Sequence, residues 1–282
     1  MSLENNRRLE TDSPANESPK TGGKNIKLII AYDGTGFNGW QRQAGGRTIQ
    51  GVMEDALSIF CGHSVSLCAS GRTDAGVHAR AQVANFRLNA DRTAKQIVAG
   101  GNALLPPAIS ILSAEEAGDD FNARFSAKGK RYCYDFSVSN LRNPFLFNRA
   151  WQVGPNLDWA AMESALTHLV GEKDFAAFQS AGTDMKTSVR RIFEAAFSCP
   201  AVDLRRLSLT GSGFLRHMVR TIAGTLWLVG RKKLAPADLG AIVDSRNRNP
   251  AGPTAPPQGL DLDRVFYEPP PWTDVHSDLP VL

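Results

Sequence analysis

Gly34-Thr35-Gly36-Phe37-Asn38-Gly39 is a literal G-x-G-x-x-G behind the apolar run Ile26-Lys27-Leu28-Ile29-Ile30-Ala31-Tyr32, which reads as a strand. If those glycines opened a helix, its N-terminus would hold a pyrophosphate and the chain would be a parallel dinucleotide fold. The residues that follow, Trp40-Gln41-Arg42-Gln43-Ala44-Gly45-Gly46-Arg47, bring two more glycines and no helical face, and helical spacing begins only near Thr48. The segment is therefore a loop, and no nucleotide cofactor is expected. Phe37, Trp40, Arg42 and Arg47 alternate aromatic and cationic groups, which suits phosphate and base contacts in RNA. Phe37 and Trp40 read equally well as core anchors.

With the parallel fold set aside, the rest of the pattern reads as α+β. Residues 48–60 place Ile49, Val52, Met53, Ala56, Leu57 and Phe60 on one helical face. Strands are expected at 65–70 and 82–87, and a helix at 93–102. Further on come a strand at 131–138, a helix at 158–170 closed by Gly171, and paired strands at 191–199 and 204–210. Helices at 214–229 and 236–244, a proline-rich loop at 250–257 and a short strand near 265–267 complete the chain. Strands interleaved with helices imply a mixed, mainly antiparallel sheet with helices on one face and ligand on the other. Residues 1–24 are polar and read as a disordered tail. The acidic stretch 115–120 divides the remainder into an α/β domain at 25–120 and a second at 121–282.

Composition excludes several classes. The chain has 282 residues, 42% hydrophobic and 21% charged, with no apolar run of ~20 residues to span a membrane. No apolar leader is seen at the N-terminus, so a cytoplasmic location is expected. The four cysteines show no C-x-x-C pairing and the five histidines no H-x-x-x-H, so neither metal nor disulfide is expected. The net charge of +4 is unevenly placed. Residues 124–149 hold six bases against Asp135 alone, and residues 186–233 hold ten against Glu194 and Asp203. A basic surface with an acidic periphery suits a polyanionic partner.

One further stretch carries chemistry. In Gly71-Arg72-Thr73-Asp74-Ala75-Gly76-Val77-His78 a carboxylate leaves a strand-like run with Arg72 close by and a glycine on either side. One reading is an Asx-turn, with Asp74 accepting backbone N–H groups. The other is a nucleophile, since covalent catalysis by aspartate needs an unhindered carboxylate on a rigid support.

This motif resembles the catalytic motif of the tRNA pseudouridine synthase A family, and the resemblance runs along nearly the whole chain after the tail. Tyr32 to Gln43 resembles the first motif of that family. Asp120-Phe121-Asn122-Ala123-Arg124-Phe125-Ser126-Ala127 with Lys130-Arg131-Tyr132 resembles the central one. Gly213-Phe214-Leu215-Arg216-His217-Met218-Val219-Arg220 and Thr254-Ala255-Pro256-Pro257-Gln258-Gly259-Leu260 resemble the last two. The resemblance implies a fold of two similar α/β subdomains flanking a basic RNA-binding cleft. It also implies isomerisation of uridine to pseudouridine at positions 38, 39 and 40 of the tRNA anticodon stem-loop, by a homodimer and without a cofactor. Asp74 would be the nucleophile, adding at C6 of the base or C1′ of the sugar. Tyr132 would pack on the target base and help remove the C5 proton, and Arg220 would pair with Asp74. Arg72 would hold the space left when the uridine is flipped out. Arg42, Lys130, Arg131 and Arg216 are further expected RNA contacts, Arg216 sharing a helical face with Arg220. The alternative is a tRNA-binding protein of the same fold that only assists RNA folding. An unrelated hydrolase would need a partner base or metal beside Asp74, and none is evident.

Overall fold

A computed structural model describes residues 22–180 and 187–270; most of the expected N-terminal tail, and residues 271–282, lie outside the described residues. Ten strands form one sheet. In chain order they are β1 (Lys24–Tyr32), β2 (Cys68–Ala69), β3 (His78–Leu88), β4 (Ile109–Glu116), β5 (Gly129–Val138), β6 (Trp151–Val153), β7 (Gly171–Asp174), β8 (Val189–Ala201), β9 (Leu204–Gly211) and β10 (Leu260–Phe266). The order across the sheet is β4-β1-β3-β10-β5-β9-β8-β7, with β2 on β3 and β6 on β5. All pairs are antiparallel except β3–β10 and β5–β6. The architecture is α+β with a mixed, mostly antiparallel open sheet. Five helices complete it: α1 (Ile49–Cys61), α2 (Ala94–Leu104), α3 (Trp159–Ala165), α4 (Met218–Gly230) and α5 (Asp238–Ser245).

Local sequence explains most of these elements. Thr48 caps α1 by accepting from the Gly51 amide, and Gly62 ends it at φ 72°. Thr93 and Gln96 form a capping box on α2. On β1, Ile26, Leu28, Ile30 and Tyr32 alternate into the core. On β5 the apolar face is Tyr132, Tyr134 and Phe136, while Asp135 on the other face takes a bidentate pair from Arg206 at 2.7 Å on the facing strand β9.

Strand β10, from the far end of the chain, is inserted between β3 and β5. Leu262 pairs with Ala79 on one side and Tyr132 on the other. Tyr132 therefore sits two strand spacings, roughly 9–10 Å, from the start of β3.

The pleat also locates the site. Phe136 meets Trp159 of α3 at 5.8 Å, and Trp151 meets Trp227 of α4 at 5.3 Å, so the Tyr132–Tyr134–Phe136 face is the one that α3 and α4 cover. Tyr132, expected on the ligand face, therefore lies on the face that carries the helices rather than on the bare one.

Candidate active site

Asp74, Ala75, Gly76 and Val77 form a turn closed by Val77 N–H to the Asp74 carbonyl at 3.1 Å, with Gly76 at φ 76° in the third position, where a side chain would be strained. Around this turn the loop is held at almost every residue. Gln82 Nε2 donates to the Gly71 carbonyl at 2.9 Å, Tyr32 and Thr73 share a hydroxyl contact at 2.8 Å, and Trp40 N–H donates to the Thr73 carbonyl at 3.0 Å. The backbone is a turn, but the carboxylate accepts none of its N–H groups. It points instead at α4.

The G-x-G-x-x-G loop is the other half of this support. A Cβ on Gly34 would lie 2.1 Å from the Val77 carbonyl oxygen, and one on Gly39 2.7 Å from that of Thr73. Gly34 and Gly39 are there because two backbones touch, not to hold a pyrophosphate. Phe37 and Trp40 are buried, so the core-anchor reading is the one realised, with Arg47 over the Phe37 ring at 4.8 Å.

Arg220, in the first turn of α4, places Nη1 3.3 Å from Asp74 Oδ2 and donates Nε–H to the Ala255 carbonyl at 2.7 Å. A cation at a helix N-terminus opposes the helix dipole, and the facing carboxylate offsets that. The fork is fixed from below: the Ala255 amide donates to the Arg220 carbonyl at 3.1 Å, and Gly224 lets the 252–253 segment touch the helix. The same proline-rich loop reaches the Asp74 turn. His78 Nε2 meets the Gln258 carbonyl at 3.2 Å, and Pro257 lies under Gly76. Three sequence-distant segments therefore meet around Asp74, whose side chain is 29% exposed against 12% for Arg220.

Tyr132 is 8% exposed, with Phe214 edge-on at 5.1 Å. Burial above all, then Tyr32 and Asp74, pushes its hydroxyl well above the ordinary phenol range, so it is protonated in the unliganded site. Lys130, on the same face of β5, donates to the Ser70 carbonyl at 2.5 Å, where the Asp74 loop begins. Burial, with Arg124 and Arg190 next, lowers its pKa to about 8.

The other expected cations divide. Arg72 and Arg216 are exposed. Arg131 is on the opposite face of β5, bonded to Thr210 Oγ1 at 3.1 Å with Glu194 at 3.6 Å. Arg42 lies along α1, on Glu54 at 2.8 Å and Asp55 at 2.5 Å. Arg216 does not share a helical face with Arg220, because α4 starts at Met218 and residue 217 before it is left-handed. The sequence reading missed His217, whose Nε2 is 3.4 Å from Asp74 Oδ2. Its position within the Gly213–Arg220 motif was the one available signal. Among the described residues no cluster of His, Cys, Asp or Glu could hold a metal, and no helix is long and apolar enough to cross a membrane.

The mixed, mostly antiparallel sheet with its few helices has the fold of a pseudouridine synthase. A family profile described as tRNA pseudouridine synthase matches residues 28–126 and 165–268. The chain is 46% identical over 244 residues to tRNA pseudouridine synthase A of Geobacter sulfurreducens, covering 86% of this chain and all of the relative. It is 44% identical to that of Geotalea daltonii over 86% of this chain and all of the relative, and 42% identical to that of Myxococcus xanthus over 86% and 91%. The protein belongs to the tRNA pseudouridine synthase family. That membership supports the catalytic reading and leaves the non-catalytic alternative without support.

Proposed function

We propose that the protein isomerises uridine to pseudouridine at positions 38, 39 and 40 of the tRNA anticodon stem-loop, acting in the cytoplasm as a homodimer. The observation that carries the reading is the ion pair between Asp74 and Arg220, 146 residues apart, beside a buried tyrosine. In the net reaction the N1–C1′ bond breaks, the uracil turns, C5 bonds to C1′, and the proton lost from C5 is balanced by one gained at N1. No electrons are gained or lost, so the chemistry requires no redox cofactor. Asp74 supplies the attacking carboxylate, to C6 of the base or to C1′. Arg220 pairs with the carboxylate and orients it. Tyr132 packs on the flipped base, and as a phenol it serves the C5 proton by relay rather than as a standing phenolate.

Residues 25–120 and 121–282 are the two α/β units flanking the cleft, with β10 pairing to both. In this reading Arg72, exposed two residues before Asp74, holds the vacated stack and Arg216, also exposed, meets phosphate, while the buried Lys130 ammonium supports the loop through the Ser70 carbonyl.

The test is to incubate the protein, and its Asp74→Ala variant, with unmodified tRNA transcript and map pseudouridine by carbodiimide-blocked primer extension. Stops at adjacent anticodon-stem uridines with the wild type alone are expected. Absence of stops with the wild type, despite tight binding, would sink the reading.

A further inference from the structure

His217 is in the left-handed region, at φ 63° and ψ 0°. A non-glycine residue occupies that region at a cost, and such strain gathers at working sites. The strained turn delivers its ring to the nucleophile. Nε2 lies 3.4 Å from Asp74 Oδ2, while Nδ1 lies 2.6 Å from Ser180 Oγ. At 3.4 Å the first contact is longer than an ordinary hydrogen bond. Arg220 reaches the same carboxylate oxygen at 3.3 Å. Among the described residues no hydrogen bond or ion pair reaches Oδ1.

The surroundings select one form of the ring. Burial, then Arg220 from α4, Arg216 from the preceding turn and Arg248 from the loop after α5, hold its pKa below the ordinary value, with Asp74 pulling the other way. A neutral imidazole carries one N–H. The Ser180 hydroxyl can donate to Nδ1, which leaves the proton on Nε2, facing the carboxylate.

We propose that His217 is a positioning residue for the nucleophile: its neutral ring, with the tautomer set by Ser180, donates Nε2–H to Asp74 Oδ2. Together with Arg220 it fixes one carboxylate oxygen and leaves Oδ1 turned to the uridine. The inference rests on the reading of Asp74 as nucleophile.

The experiment compares single-turnover tritium release from C5-labelled tRNA, together with tRNA affinity, across variants of the full chain. His217→Leu and His217→Gln carry the same left-handed strain, but only glutamine keeps an N–H near the position of Nε2. His217→Leu is expected to slow turnover roughly tenfold to a hundredfold, the span of a hydrogen bond to an ionised group, at nearly unchanged affinity. His217→Gln recovers most of that loss. Ser180→Ala slows the wild type several-fold and the His217→Leu protein no further, because the two act as one unit.

The inference is overturned by any of three results: His217→Leu at the wild-type rate, His217→Gln as slow as His217→Leu, or Ser180→Ala slowing both backgrounds alike. Should His217→Leu not fold, Ser180→Ala decides alone. A several-fold loss at unchanged affinity supports the inference, and an unchanged rate removes it. Asp74→Asn is assayed alongside. Turnover by that variant overturns the nucleophile reading itself, whereas its inactivity beside a fully active His217→Leu overturns only the role of His217.

Discussion

Gly34 lies against Val77 so closely that a Cβ would fall 2.1 Å from the Val77 carbonyl oxygen. The first loop therefore supports the Asp74 turn backbone to backbone. Gly34→Ala must push the two apart, and overpacking of this kind costs about 1–3 kcal/mol. It is expected to lower the unfolding free energy in urea by that amount. It should also slow turnover roughly tenfold to a hundredfold, as a misplaced reacting group does. Gly36→Ala is the control: its φ of 77° makes a side chain strained, but nothing stands within 4 Å. It should lose about 1–2 kcal/mol of stability and keep its turnover. Equal slowing by both would show that the contact does not position Asp74.

Arg220 serves two acceptors from one fork, Ala255 and Asp74. Lysine keeps the charge but is a point donor that cannot hold both. Arg220→Lys is expected to lose roughly tenfold to a hundredfold in turnover, since hydrogen bonds to charged groups are worth about 1.5–3 kcal/mol. Its tRNA affinity should stay within a few fold by filter binding. A fully active Arg220→Lys would mean that charge alone, without the fork, is sufficient.

How far the sequence could be read depended on whether burial was one-sided. Strands β1, β8 and β9 and helices α1, α2 and α5 carry regular apolar spacing, and the reading found them. Strand β4 has no counterpart in the sequence reading, and only its outer end, Glu115 and Glu116, falls in the acidic stretch read as a boundary; both are exposed and tied to Lys27 and Lys24. Strand β10 was reduced to its last residues because Asp261 interrupts the apolar pattern, yet that carboxyl is buried with Arg80 3.6 Å away. Strands β6 and β7 are too short for a period to show. The helix expected at 158–170 stops at Ala165 and tightens into a 3₁₀ turn over Leu166–His168, and Gly171, read as its cap, opens β7. The site was legible through the resemblance of five motifs. Nothing local to Asp74 or to Arg220 encodes that they meet, and His217 stood out from four other histidines only once the strained turn was seen.

Lys130 should leave a signature in the pH dependence of stability. Its folded pKa of about 8 lies below the ordinary 10.5. Between those values the unfolded chain still holds a proton that the folded chain has released, so stability rises with pH across that window. Below about pH 8 the cost of burying the ammonium is fully present. The unfolding free energy of the wild type minus that of Lys130→Met should therefore increase between pH 8 and 10.5 in urea titrations. A flat difference would place the ammonium in solvent.

Arg72 and Arg42 should separate binding from stability. Arg72 is exposed, two residues before Asp74. If it meets phosphate, Arg72→Ala should lower the log–log salt slope of tRNA binding by roughly 0.7–0.9 and change stability by at most about 0.5 kcal/mol. Arg42 is bonded to Glu54, whose other oxygen accepts from Gln50 and from the Leu67 amide. Its removal leaves a buried carboxylate without its cation, so Arg42→Ala should cost about 1–3 kcal/mol and leave the salt slope unchanged. Thermal unfolding and binding across a salt series read both quantities for each variant. A fall in slope for Arg42→Ala would mean that its guanidinium leaves α1 to meet RNA, and an unchanged slope for Arg72→Ala would remove that residue from the phosphate path.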